Sequence, residues 1–350
     1  MSIQKFIVSR DDNIYEAWPD VALTNDGTLI CTFTECAHHG DRNYSRVMMT
    51  ESYDRGRTWT QKHPLSELSM QNDFFNNSRI SKLPDGTLVV ICDRSFGKET
   101  PTTEYELYLW YSYDNGKTWT EPKLASSMGI KNIGFVPDKY RILKNGRHII
   151  CAQSYGSIGK LEQYLWYSDD EGKTWSDKTL VAKDERYNLC EGCILETPDG
   201  VLACYMRENS GLGYDCMKVI SYDSGETWSD VCNVPLPGCH RPVISYLKSG
   251  NLMMTYRFMQ GGKGWVGYWT QNVFSAILKP DQVTCTKRRE QSARIMPLDF
   301  DRSPVSDLGY TGWVQFDDGE IYVVNYIVDD APKAQIRGYS FTESEFILNP

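Results

Sequence analysis

Long apolar runs are missing from this chain, and so is any surplus of positive charge. No stretch approaches the roughly 18 apolar residues of a membrane-spanning helix. The opening Met1-Ser-Ile-Gln-Lys-Phe-Ile-Val8 also lacks the apolar segment of a secretory leader. A cytoplasmic location and no membrane partner are expected on that basis. Lys and Arg number 37 against 46 Asp and Glu, a net charge of −9, so no nucleic-acid partner is expected, because phosphate binding needs a basic face. A few convergent arginines still make a positive pocket inside an acidic protein.

Metal-binding spacing is lacking too. Cys190-Glu-Gly-Cys193 has the CxxC interval, but no second such pair and no spaced histidines complete a zinc site, so neither a metal nor a cofactor is expected. The eleven cysteines are an odd number, which argues against a complete disulfide framework. Cys31, Cys92, Cys151 and Cys204 lie in strand-like runs, where a free thiol behaves as a small buried hydrophobe, and this fits a reducing compartment. No Pro/Ser-rich linker or low-complexity tract interrupts residues 1–350. A single domain is expected, with 41% hydrophobic and 13% aromatic residues to fill its core.

Repetition is what the chain does have. Ser52-Tyr-Asp-Arg-Gly-Arg-Thr-Trp59, Ser112-Tyr-Asp-Asn-Gly-Lys-Thr-Trp119, Ser168-Asp-Asp-Glu-Gly-Lys-Thr-Trp175 and Ser221-Tyr-Asp-Ser-Gly-Glu-Thr-Trp228 recur at intervals of 60, 56 and 53 residues, the sign of repeated supersecondary units. Each reads as a hairpin tip. Ser and Asp side chains bond the turn's own backbone, Gly supplies positive φ, and Thr-Trp starts the next strand with a large ring to bury. A second repeat has six copies: Asn25-Asp-Gly27, Pro84-Asp-Gly86, Lys144-Asn-Gly146, Pro198-Asp-Gly200, Lys248-Ser-Gly250 and Asp317-Asp-Gly319. Each lies between two short β-prone runs, as a two-strand hairpin does. Six such hairpins, four followed by the eight-residue turn, predict an all-β, six-bladed propeller of four-stranded antiparallel blades. Gly264-Trp-Val-Gly-Tyr-Trp269 is expected to stand where the fifth blade's eight-residue turn should be, and the sixth blade lacks that turn as well.

In an up-and-down blade, the turn between strands one and two shares a face with the turn between strands three and four. Both glycine-marked families therefore point one way. The starts of the first strands and the ends of the second strands point the other way, around the mouth of the central channel. Counting nine residues back from the six hairpin glycines gives Trp18, Asn77, Pro137, Glu191, Arg241 and Tyr310. Counting seven forward gives Thr34, Asp93, Gln153, Arg207, Arg257 and Tyr326. Two carboxylates, three arginines and two tyrosines are an unusual concentration for inward-facing positions. The runs Tyr108-Leu-Trp-Tyr111 and Tyr164-Leu-Trp-Tyr167 recur at equivalent blade positions and read as packing between blades.

The eight-residue turn resembles the Asp box of sialidases and related propellers, and the resemblance continues at the channel mouth. Glu191-Gly-Cys-Ile-Leu-Glu-Thr-Pro-Asp-Gly200 followed by Val-Leu-Ala-Cys-Tyr-Met-Arg207 is similar to the sialidase segment in which a Glu precedes a Pro-Asp-Gly turn and an Arg follows it. Gly309-Tyr310-Thr-Gly-Trp-Val-Gln-Phe-Asp-Asp-Gly319 resembles the segment bearing the sialidase tyrosine. Gly27-Thr-Leu-Ile-Cys-Thr-Phe-Thr-Glu35 resembles a first-blade second strand, and it leads into Asp41 before the first Asp box.

That resemblance implies a retaining exo-glycoside hydrolase for a terminal acidic sugar, sialic acid or a relative. Tyr310 would be the nucleophile, Glu191 its general base and Asp41 the acid/base. Arg207 and Arg241 would clamp the substrate carboxylate. A neutral phenol suits a reacting carbon that bears a carboxylate, since an anionic nucleophile would be repelled. The chain departs from the family where an Arg-Ile-Pro element should supply the first clamp arginine: here the stretch reads Tyr15-Glu-Ala-Trp-Pro-Asp20. Arg42, Arg79 or Arg257 would then have to substitute, and Trp18 would offer a stacking face to the sugar. Two alternatives stay open. One is a glycosidase for a uronic or neutral sugar, using Glu191 with Asp41 or Asp20. The other is a carbohydrate-binding propeller without turnover. The His38-His39 pair reads as part of a solvated loop, and the sequence sets no oligomeric state.

Overall fold

The computed structural model describes residues 3–71, 73–97, 100–157, 159–259 and 271–346, apart from the side chain of Arg42. Six antiparallel sheets form a six-bladed propeller. The first strands of the six blades are Tyr15–Leu23, Asp73–Lys82, Arg141–Ile142, Leu189–Glu196, Cys239–Tyr246 and Leu308–Gln315. Each pairs with the strand after its hairpin glycine. All six hairpin glycines have φ between 85° and 93°, a region other residues rarely adopt.

The four Asp boxes share one bonding pattern. In the first, Ser52 Oγ donates to Asp54 Oδ1 at 2.9 Å, the Gly56 N–H donates to Ser52 Oγ at 2.7 Å, and the Thr58 N–H donates to Asp54 Oδ1 at 2.9 Å. Trp59 Nε1 donates to the Gly56 carbonyl at 3.3 Å, anchoring the motif's partly buried ring. The residue before each box glycine, Arg55, Asn115, Glu171 or Ser224, is itself left-handed at φ 59–63°. Box turns and hairpin turns share a face as expected. Tyr322, three residues past the sixth hairpin glycine, donates its hydroxyl to the Gly56 carbonyl at 2.8 Å, and Arg147 Nη1 reaches the Ser224 carbonyl at 3.1 Å.

The last two blades depart from the repeat for different reasons. The fourth strand of the sixth blade is Gln4–Ser9, which pairs antiparallel with Gln335–Thr342. Strands three and four of that blade are therefore far apart in sequence, and no turn joins them to carry a box. In the fifth blade the box position falls after Gln271–Leu278, in a connection containing the 3-10 turns Pro280–Gln282 and Arg288–Glu290. Gly264–Trp269, which counting placed there, instead precedes the third strand and lies outside the described residues. Eleven residues separate Leu252–Met259 from Gln271–Leu278, and their number displaced the count. Trp110 and Trp166 are buried in clusters that also hold residues of the preceding blade, such as Ile30 and Val89 respectively.

Candidate active site

Glu191, Arg241 and Tyr310 reach the channel mouth through one recurring irregularity. In five blades the first strand carries one extra residue opposite its partner, at Trp18-Pro19, Asn76-Asn77, Glu191-Gly192, Arg241-Pro242 and Tyr310-Thr311. Such bulges bend a strand and re-aim a side chain. Trp18, Glu191, Arg241 and Tyr310 have φ of 50–56°, and Val136 in the third blade has φ 50°. Left-handed backbone at bulky residues is strained, and strain of this kind concentrates at functional sites. Neighbouring strands supply the missing hydrogen-bond partners. Gln153 Oε1 accepts the Glu191 N–H at 2.7 Å, Asn325 Oδ1 accepts the Gly309 N–H at 2.9 Å, and Asp93 Oδ1 accepts the Asn77 N–H at 3.1 Å. Asp93 and Gln153 thus hold bulges in place.

The Tyr310 hydroxyl donates to Glu191 Oε1, and Arg207 Nη1 lies 2.7 Å from the same oxygen. The guanidinium carbons of Arg257 and Arg241 stand 5.3 Å and 5.8 Å from the Tyr310 ring centre. Gly309 makes that approach possible, because a Cβ there would lie 2.7 Å from Arg257 Cβ. Arg241 Nη2 donates to the Pro137 carbonyl at 2.7 Å, and Arg257 Nη2 meets His240 Nδ1 at 3.2 Å. Burial, with Arg207 and Arg257 beside it, pushes the His240 pKa well down, so the ring is neutral and accepts from Arg257. Arg207 Nη2 donates to Asn209 Oδ1. Arg207 Nε, Arg241 Nη1 and Arg257 Nε are buried and have no hydrogen-bond partner among the described residues.

Electrostatics divides the phenol from the carboxylate. Burial and the Glu191 charge push the Tyr310 pKa far above its usual value, against the lowering pull of Arg207 and Arg257. Burial also pushes Glu191 up, but Arg207, Arg257, Arg241 and the Tyr310 hydroxyl outweigh it and hold the carboxyl below its ordinary range. At neutral pH the pair is a phenol donating to a carboxylate, and three guanidinium groups surround it. A cavity of about 790 Å³ opens on this group, walled in part by Arg207, Arg257, Tyr310, His38, His39, Gln271 and Asp307.

The other residues singled out in the sequence lie elsewhere. Asp20 and Arg79 belong to a buried ion cluster: Arg79 Nε lies 3.4 Å from Asp20 Oδ2, and Lys139 Nζ lies 3.1 Å from Asp20 Oδ1. Arg79 Nη1 donates to the Thr311 carbonyl at 3.1 Å, tying the second blade to the sixth. Trp18 is buried under the edges of His39, Phe74 and Tyr326, at centroid distances of 5.3, 5.9 and 6.3 Å. Its face is covered rather than open to a sugar. Asp41 begins the strand Asp41–Ser52, and its Oδ1 accepts the Asn43 N–H at 3.0 Å. The Arg42 side chain lies outside the described residues. His240, Asn209 and Asp307 received no role from the sequence. His240 stands next to the rim position Arg241, the one signal that would have found it. Among the described residues, no three His, Cys, Asp or Glu side chains gather where they would hold a metal.

Asp-box blades with a phenol–carboxylate pair ringed by arginines at the channel mouth define a propeller of the sialidase superfamily. The BNR repeat-like domain profile matches residues 68–256, more than half of the sequence, and the chain belongs to that family. It is 26% identical over 255 residues to a sialidase of Clostridium perfringens, covering 63% of this chain and 63% of that protein. The match thus spans less than two thirds of that relative's length. In fold the chain resembles a protein of unknown function from Dyadobacter fermentans, at 22% identity and a TM-score of 0.73, covering 97% of this chain and 98% of that one. A Hadza microbial sialidase is similar at 17% identity and a TM-score of 0.69, over 95% of this chain and 66% of that one.

Proposed function

We propose that the protein is a retaining glycoside hydrolase that removes a terminal acidic sugar of the sialic acid type. The observation that carries this reading is the Tyr310 hydroxyl seated on Glu191 beneath three arginines whose buried Nε or Nη1 groups find no partner among the described residues. Buried donors without partners are costly, and a substrate carboxylate is the ligand group that satisfies several guanidiniums at once. With the carboxylate held by Arg207, Arg241 and Arg257, Tyr310 attacks the adjacent anomeric carbon as its proton passes to Glu191. The ionised Glu191 is poised to accept it. Arg257 takes the place of the arginine that Tyr15–Asp20 lacks, so the clamp is built from blades four, five and five rather than beginning in blade one. Asp20 is tied to Arg79 and Lys139, which does not favour a mechanism pairing it with Glu191.

The test is release of free sugar from chromogenic α-sialosides and β-uronides. Wild type is expected to cleave a sialoside, Tyr310→Phe to lose about a thousandfold or more in kcat, and Glu191→Gln about a hundredfold. Equal turnover by Tyr310→Phe and wild type removes the nucleophile assignment. Saturable glycan binding with no turnover by wild type supports a binding propeller instead, and cleavage of the uronide alone changes the sugar.

A further inference from the structure

In the first blade, the hairpin between Leu29–His38 and Asp41–Ser52 turns at His39-Gly40, flanked by the paired residues His38 and Asp41. His39 is drawn inward from this turn. Its ring meets Trp18 nearly perpendicularly, at 85° and 5.3 Å, and its Nδ1 lies 2.6 Å from Asp307 Oδ2. Asp307 is itself held firmly. Tyr326 donates to its Oδ1 at 2.8 Å, Tyr15 donates to its Oδ2, and its own N–H donates to Asp301 Oδ2 at 2.9 Å. Burial raises this carboxyl's pKa, but His39, Tyr15 and Arg257 outweigh that and hold it below the usual range. The wall of the cavity that contains Tyr310 also contains His39 and Asp307. The His39 side chain is 42% exposed and that of Asp307 16%, so the imidazole stands on the outer side of the carboxylate, where an aglycone would leave. Asp41 is not among the described residues of this wall, and its carboxylate turns back on the Asn43 N–H.

We infer that His39, oriented by Asp307, is the acid/base catalyst of this site in place of Asp41; the inference rests on the glycosidase reading above. An ionised Asp307 accepting the Nδ1 hydrogen fixes the ring and leaves Nε2 as the atom that exchanges a proton. In the first half-reaction, Nε2–H gives its proton to the glycosidic oxygen as the bond from that oxygen to the anomeric carbon breaks. Tyr310 Oη bonds to the carbon, and its proton moves to Glu191. In the second half-reaction, neutral Nε2 takes a proton from water while the water oxygen bonds to the anomeric carbon. The bond to Tyr310 breaks, and Glu191 returns the phenol's proton. Asp307 is a positioning residue and changes no bond.

The experiment compares two α-sialosides, one with a galactose aglycone that needs protonation and one with a 4-nitrophenyl aglycone that does not. His39→Ala is expected to lose about a hundredfold or more in kcat/KM on the sialyl-galactose substrate and less than about tenfold in kcat/KM on the nitrophenyl substrate. Azide is expected to accelerate the variant on the nitrophenyl substrate and yield a sialyl azide. Asp307→Asn is expected to show the same aglycone dependence with little change in KM, whereas a merely structural role predicts equal losses on both substrates. The nitrophenyl substrate also reports whether each variant is folded. Equal losses in His39→Ala, or an aglycone-dependent loss in Asp41→Ala but not in His39→Ala, overturns the assignment. A wild type that cleaves neither sialoside overturns the glycosidase reading and this inference with it.

Discussion

Glu191 owes its charge to its neighbours. Burial alone would raise its pKa, and the guanidiniums of Arg207, Arg257 and Arg241 reverse that. Replacing Arg207 by Met removes the strongest of these opposing charges and is expected to raise the Glu191 pKa. The sign follows from the role: the base works ionised, so activity falls as pH drops through its pKa. For wild type the acid limb of kcat/KM should lie below the ordinary Glu value of about 4.3, and in Arg207→Met it should move up. A limb that stays in place while activity falls would assign Arg207 to substrate binding alone. Asp20 is a charge of a different kind. It faces the buried Arg79 and the mostly buried Lys139, both lowered in pKa first of all by burial. Asp20→Ala leaves two cations without their carboxylate and is expected to cost about 3–5 kcal/mol of stability, measured by denaturant unfolding.

Among the elements, the Asp box is a local device whose glycine is used differently from blade to blade. Gly56 has φ 82°, and a Cβ there would lie 2.2 Å from the Tyr322 ring. Gly172 has φ 80°, but its Cβ would meet nothing closer than 3.6 Å. Gly56→Ala must displace a buried ring as well as strain the backbone, and it is expected to destabilise by about 2–5 kcal/mol. Gly172→Ala carries the backbone strain alone, about 1–2 kcal/mol. Thermal unfolding of the two variants side by side checks this, and equal losses would mean that the Tyr322 contact contributes nothing to the seam between the first and last blades. The bulge is the other device. Its sequence trace is only the spacing from the hairpin glycine, because the bonds that stabilise it come from Gln153, Asp93 and Asn325 on neighbouring strands.

At the scale of the molecule, the ring is closed by a ladder between the two ends of the described chain. Gln4–Ser9 is the outer strand of the sixth blade, and Phe6 stacks against Tyr322 at 6.3 Å. Removing residues 1–9 exposes the edge of Gln335–Thr342 and opens the seam. Apparent Tm is expected to fall on the order of 10 °C, with aggregation through the unpaired edge. Unchanged melting would show that the other contacts of the sixth blade suffice.

The sequence by itself determined the blades, their number and the face on which the turns lie, because each follows from local chemistry: a glycine at positive φ, an Asp and a Ser that bond their own turn, a Trp that needs burial. It also put Glu191, Arg207, Arg241, Arg257 and Tyr310 on one rim, since fixed spacing from a turn fixes height along the channel. Only the tertiary structure decided which rim residues meet. Arg79 turned to backbone carbonyls and Trp18 was covered by its neighbours, while His39 left a polar loop to pair with Asp307, 268 residues away. Contacts across a ring depend on bulges, strand closure and burial shared between blades, and no local pattern encodes those.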